Sequence, residues 1–451
     1  LQQMMYRFVF FVCLFACLVS GSKITNLPGL TFTPSFDQYS GYITLTNTSK
    51  NMFYWFVESQ NDPASDPLVI WLQGGPGCSG LIGFFQEHGP YLINTSGNLI
   101  PNYYSWNREA NMLYIESPVG VGFSYSDNPN DYNTNDNQTA SDNYQFLLQF
   151  LDTFPQYKQN EFWILGESYA GVYGPMLANL IVEGSDTQLI SNFQGFALGN
   201  PVTSCPALKD RDLDIQINTF YWNGLIGLRS LNKWKDSGCD ESQFYGGCGE
   251  LYEEIISSIG PIEGDDLYYN YCTGNGTLNA FEQTPGCVTL GDLLEEYLNR
   301  ADVQQAIFAE PIIWTECGNP KLNYHLQGQN MMKYYESFFV NAPQLKIMIY
   351  SGDVDISTVP HAKTQICLQG LDRNLVQSWT RWTVEGPPLY EGTGGIKQNI
   401  TAGYVEVYDT YTFATIKGAG HEAPQYQPAF SYNLFQRFVL EKSANLNAIQ
   451  G

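Results

Sequence analysis

The stretch Gly166-Glu167-Ser168-Tyr169-Ala170-Gly171 sets a serine among small residues, directly after the apolar run 162–165. Small residues two before and two after a serine let a strand and a helix pass close together. That spacing predicts a nucleophile held on a sharp strand-to-helix turn, with alanine at 170 where glycine is commoner. Helix amides beside the hydroxyl favour negative charge as it develops. A serine at its ordinary pKa is a poor nucleophile and needs an oriented base. The whole chain holds four histidines, His88, His325, His361 and His421.

His421 stands in KGAGHEAP (417–424), where a strand-like run ends near the C-terminus. YSGDVDISTVP (350–360) offers two acids upstream of it, Asp353 and Asp355. Serine, acid, histidine is the chain order of an α/β-hydrolase triad. Asp355 is preferred because Gly352-x-x-Asp355 lets the chain turn before the carboxylate is presented, while Asp353 serves the turn itself. His361 follows a proline and lies too close to Asp355 in sequence to be the first choice. An oxyanion needs backbone donors, and WLQGGPGCSG (71–80) leaves a strand through Gly74, Gly75 and Gly77. Gly75 and Tyr169, the residue after the serine, are the natural donor pair.

These residues must be carried by strands. Apolar runs ending in turn residues occur at 52–59, 68–77, 112–118, 162–168, 193–201, 346–353 and 412–421, and helical patterns at 141–154 and 171–184 lie between some of them. Strands alternating with helices predict an α/β fold, a mostly parallel sheet with helices on both faces and its chemistry at the carboxyl ends of the strands. Residues 202–318 break the alternation and hold six cysteines. That segment is expected to be a disulfide-stapled insertion capping a core made of 22–201 and 319–451. Segment 127–138, DNPNDYNTNDNQ, reads as an exposed polar loop.

The N-terminus has Arg7, a dozen apolar residues (8–19) and a small-residue exit at Ser20, Gly21 and Ser22. This is the form of a secretory signal peptide, expected to be residues 1–21 and too short to span a bilayer. The expected mature chain is lumenal or secreted and not held in a membrane. Eight cysteines remain beyond the leader, an even number that fits disulfides. Sequons at Asn47, Asn94, Asn137, Asn275 and Asn399 fit the same route as N-glycosylation acceptors. No C-x-x-C pair and few histidines argue against a metal, and no cofactor motif occurs. A net charge of −24 argues against nucleic acid, which needs a basic face.

The blocks WLQGGPGCSG, ESPVGVGFSYS, GESYAG, GDVD…VP and GAGHEAP together resemble, in order, those of the serine carboxypeptidases, acid-active lumenal exopeptidases of lysosome, vacuole or secretion. The likeness runs from about residue 27 to 440. It implies an α/β-hydrolase with an insertion cap, a triad at Ser168, Asp355 and His421, and an oxyanion hole at Gly75 and Tyr169. Substrates would be peptides and proteins with a free C-terminus. The resemblance assigns recognition of that carboxylate to Gln73, Gly74, Glu87 and Glu167. Two neighbouring carboxyls do not both ionise easily, so one keeps its proton to elevated pH and can donate to a substrate carboxylate. Gln73 replaces the family's usual asparagine, which implies a looser clamp. The likeness also implies a Cys78–Cys317 bridge. Some relatives transfer acyl groups to alcohols, but those often carry aspartate where Glu167 stands. A non-catalytic binding or protective protein is the remaining alternative. The sequence leaves oligomeric state open, a homodimer included.

Overall fold

The computed structural model describes residues 21–209, 211–239, 248–260, 262, 264–268, 290–386 and 398–442. The expected leader (apart from Gly21), Asn275, Cys272 and Cys287 lie outside the described residues.

A twelve-stranded sheet organises the chain. Its strands are β1 (Ser22–Lys23), β2 (Gln38–Thr44), β3 (Lys50–Val57), β4 (Leu68–Leu72), β5 (Asn111–Ile115), β6 (Tyr125–Ser126), β7 (Phe162–Glu167), β8 (Phe193–Gly199), β9 (Lys346–Gly352), β10 (Leu375–Gly386), β11 (Gln398–Tyr408) and β12 (Thr412–Ile416). Across the sheet they run β1-β2-β3-β5-β4-β7-β8-β9-β12-β11-β10, and β6 pairs with β3. The stretch from β5 to β12 is parallel, and antiparallel strands close both flanks.

The apolar runs form central strands because both of their faces are covered. Phe162, Ile164, Leu68, Ile70 and Leu72 join one buried cluster with helices α1 (Asp136–Thr153) and α2 (Ala170–Val182). Trp163, Leu165, Val69 and Trp71 alternate to the other face, against Phe84, Trp382 and Phe435. Side chains with a period of two, apolar on both faces, are what a doubly covered parallel sheet requires.

Two features differ from the sequence reading. Residues 127–138 are no loose loop: they form a 3₁₀ turn (Pro129–Tyr132), a short strand (Asn133–Asn135) paired with Asn323–His325, and the start of α1. Tyr132, Thr134 and Asp136 are buried. The asparagines there act as caps, Asn128 accepting from the Asn130 amide and Asn135 from the Gln138 amide. The β10–β11 hairpin had no counterpart in the apolar runs, because β10 is largely exposed over its first half.

The segment 202–318 packs in two parts. Helices Asp212–Trp222, Leu228–Ser237 and Gly249–Ile259 share a separate small core of Ile217, Phe220, Leu231, Trp234 and Ile255, to which Ile356 contributes. Leu294, Tyr297, Leu298 and Trp314 belong instead to the main cluster under the sheet. Cys239–Cys248 staples the small core, while Cys205–Cys367 ties the segment's start to helix α3 (His361–Gln369).

Candidate active site

Ser168 follows the last residue of β7 and precedes α2, with φ of 57°. A left-handed backbone is rare for a side chain with a Cβ, and the surroundings fix it here. The Ser168 amide donates to Gly199 O (2.9 Å), and its carbonyl accepts from Gly171 N (2.9 Å) and Val202 N (2.8 Å). The small neighbours have steric causes. A Cβ on Gly166 would lie 2.7 Å from Ala170 Cβ, and one on Gly74 would lie 2.8 Å from both Ser168 Oγ and Tyr169 N. The glycine turn after β4 thus lies directly against the serine and the amide that follows it.

Asp355 lies just beyond β9 and His421 just beyond β12, at the same sheet edge. His421 Nδ1 and Asp355 Oδ2 are 2.7 Å apart, both side chains buried. Asp355 also accepts from Thr358 N, Val359 N and Asn200 Nδ2, each at 3.0 Å. Burial opposes charge on His421, but the hydrogen bond and charge of Asp355, with Glu422 and Asp265, outweigh it and lift the imidazole to about 9. The charges that orient this ring therefore also hold its proton. Protonation of Glu422 near 7 withdraws one of them. Ser168 Oγ forms no hydrogen bond to His421 among the described residues, a contact that commonly tightens only when substrate is seated.

Of the two competing aspartates, Asp353 accepts from Gly418 N (2.7 Å) and so serves the turn between β9 and β12. Gly352 is the end of β9, and a Cβ there would strike the carbonyls of Ala419 and Gly420. The glycine permits close approach of the two strand exits more than a turn. His361 opens α3, and burial pushes its imidazole down against the charge of Asp355.

Glu87 and Glu167 are both buried, at 2% and 1% exposure. Gln73 Nε2 donates to Glu167 Oε1 (2.5 Å), and Trp71 Nε1 donates to Gln73 Oε1 (2.6 Å). No described donor reaches either carboxyl oxygen of Glu87 or Glu167 Oε2. Burial, then the charge of Glu422, pushes Glu87 up to about 8, while the nearby Glu167 and Gln73 side chains pull the other way. Burial and the charge of Glu87 push Glu167 well above the usual carboxylate range. Two buried carboxyls with so few donors favour holding a proton over carrying two charges.

The glycine loop is fastened from behind. Cys78 and Cys317 are bridged. Ser79 Oγ (2.5 Å) and Trp314 Nε1 (2.7 Å) donate to the buried Glu116 carboxyl. Tyr169 is fixed as well: its hydroxyl donates to Asp136 Oδ1 (2.9 Å), which also accepts from Tyr324 (2.8 Å), while Asp136 Oδ2 accepts from Gln327 N (3.0 Å).

Sequence reasoning missed Asn200, Glu422, Asp136 and Glu116. Asn200 links the strand exits, donating to Asp355 and accepting from Gly352 N (2.8 Å); its only signal was the Gly-Asn-Pro after β8. Among the described residues no cluster of histidine, cysteine and acidic side chains is arranged to hold a metal. Asn47, Asn137 and Asn399 are exposed, and Asn94 is half-buried with its Oδ1 accepting from Ser96 N and Asn98 N.

Residues 28–441 match the family model described as serine carboxypeptidase. The chain is 35% identical over 461 residues to the lysosomal protective protein of Mus musculus, covering 92% of this chain and 93% of that relative. It is 35% identical over 437 residues to serine carboxypeptidase-like 36 of Arabidopsis thaliana, covering 92% and 85%. A solved prohormone-processing carboxypeptidase of Saccharomyces cerevisiae shares the fold, with TM-score 0.69 and 20% identity over 93% of this chain and 95% of that one.

Proposed function

The chain belongs to the serine carboxypeptidase family, hydrolases that act on peptides, and on that premise we propose that it removes single C-terminal residues in acid through an acyl-enzyme on Ser168. In this reading Ser168 Oγ attacks the scissile carbonyl carbon while His421, in its neutral form, takes the hydroxyl proton; protonation of Glu422 in acid removes one of the charges that hold the ring protonated. His421 then returns that proton to the leaving amine as the C–N bond breaks. Water, deprotonated by the same imidazole, hydrolyses the ester and restores the serine. Asp355 holds the ring, and the amides of Gly75 and Tyr169 receive the oxyanion.

The observation that carries exopeptidase action is the donor-poor pair Glu87 and Glu167, the second of which directly precedes the nucleophile. Holding a proton, the pair donates to a substrate carboxylate, assisted by Gln73 and the Gly74 amide. With both carboxyls ionised it repels that group. Gln73 is longer than the family's asparagine by one methylene, about 1.5 Å of reach, and it already spans Trp71 and Glu167. We take the clamp to be weaker for that reason.

The leader, the sequons and the lysosomal mouse relative together support a lumenal site of action, in lysosome or vacuole or after secretion. No described helix is long and apolar enough to cross a membrane. The test is a fluorophosphonate probe with peptide mapping, alongside release of free amino acids from a peptide. Labelling of Ser168 and stepwise release from the C-terminus are expected. Labelling without release would leave a serine hydrolase of another kind.

A further inference from the structure

A cavity of about 450 Å³ lies beyond the exits of β8 and β9, lined among others by Thr203, Lys209, Asp212, Thr358, Val359 and Lys363. Both walls are attached to the proposed machinery. Val202, at its edge, donates its amide to the Ser168 carbonyl, and the Thr358 and Val359 amides hold the Asp355 carboxylate. The chain has 21 lysines and arginines against 45 acids, yet two lysines meet at this cavity with one described acid, Asp212. Lys363 lies 3.4 Å from Asp212, and Lys209 has no carboxylate partner among the described residues.

Sheet order decides which part of a peptide would lie there. The proposed carboxylate clamp rises from β4 and the helical turn after it, on one side of the nucleophile strand β7. The cavity rises from the exits of β8 and β9, on the opposite side. A peptide crossing Ser168 with its terminal carboxylate at Gln73, Glu87 and Glu167 must direct the preceding residue toward β8 and β9. From this we infer that the cavity is a subsite for an acidic side chain on the residue preceding the scissile bond, read by Lys209 and Lys363. The inference deepens the exopeptidase reading and rests on it for direction.

The test compares two peptides that differ only in the penultimate residue, glutamate or glutamine, at pH 6, where a glutamate side chain is ionised. Affinity is measured on the Ser168→Ala protein by calorimetry, so the outcome does not depend on turnover. Glutamate is expected to bind about five- to tenfold tighter, the range of a partly screened ion pair with a hydrogen bond. The ratio should fall toward one in Lys209→Met/Lys363→Met, and part-way in Lys209→Met alone, whose exposed side chain carries little risk to folding. Equal affinities, or a ratio that survives in the double variant, would overturn the subsite. Turnover of either peptide by the unaltered protein separately tests the exopeptidase reading.

Discussion

Two buried carboxyl sites flank Ser168, and their surroundings are opposite. Asp355 is met by four donors: two backbone amides, Asn200 and the imidazole of His421. The pair Glu87 and Glu167 has one, the amide of Gln73. Donors stabilise an anion, whereas their absence in a buried place favours the neutral acid. The same functional group is thus surrounded by donors on one side and left almost without them on the other. The first fits a partner for an imidazolium, the second a receiver for a carboxylate.

The largest effect is expected from inverting the first environment. Asp355→Asn leaves the shape but removes the charge facing His421, and kcat should fall by about 10³–10⁴-fold, read from steady-state kinetics with the fold checked by circular dichroism. A loss below tenfold would mean that Asp355 does not orient the base. On the other side, Glu167→Gln replaces a donor that exists only while protonated with one that persists. KM for free-acid peptides should then lose its rise between pH 6 and 8, a difference of about tenfold at pH 8 for a charge-assisted hydrogen bond. A KM that still climbs with pH would locate the titrating group elsewhere.

The comparison also reaches stability. Unfolded, the carboxyls titrate near 4.5, whereas Glu87 holds its proton to about 8 and Glu422 to about 7 in the folded chain. Between those values the folded state binds more protons than the unfolded one. Stability is therefore fully present below 4.5 and is lost as pH rises through 7 and 8, by about 1.4 kcal/mol per pH unit for each such carboxyl. Thermal melts from pH 5 to 8.5 should show Tm falling, less so in Glu87→Gln; a rising Tm would contradict the protonated pair. The smallest effect concerns the clamp's reach. Gln73→Asn should lower KM for free-acid peptides by a few-fold, and an unchanged KM would show that the extra methylene costs nothing.

Much of the scaffold was legible because both faces of the parallel strands are buried, so that 68–77, 162–168 and 346–353 read as apolar runs ending in glycine, serine or acid. Apart from Glu87, in the helical turn Gly83–Glu87, the residues nominated for chemistry stand at or near exits of such runs, where local spacing carries information. Asn200 and Asp136 were not legible in this way. Each acts on partners far along the chain: Asn200 meets an acid 155 residues away, and Asp136 accepts from tyrosines 33 and 188 residues off. Runs of asparagine near 127–138 look solvated by composition, and their capping role emerges only once a helix begins at Asp136. The β10–β11 hairpin escaped because an exposed edge strand lacks the continuous apolar signal of a central one.

The central claim is that a protonated carboxyl pair grips the terminus of the substrate. The direct measurement is kcat/KM for one peptide as its free acid and as its C-terminal amide, across pH 4.5 to 8.5. The account predicts a strong preference for the free acid at low pH that collapses as the pair ionises around pH 8. A preference that stays flat, or grows as pH rises, would contradict it.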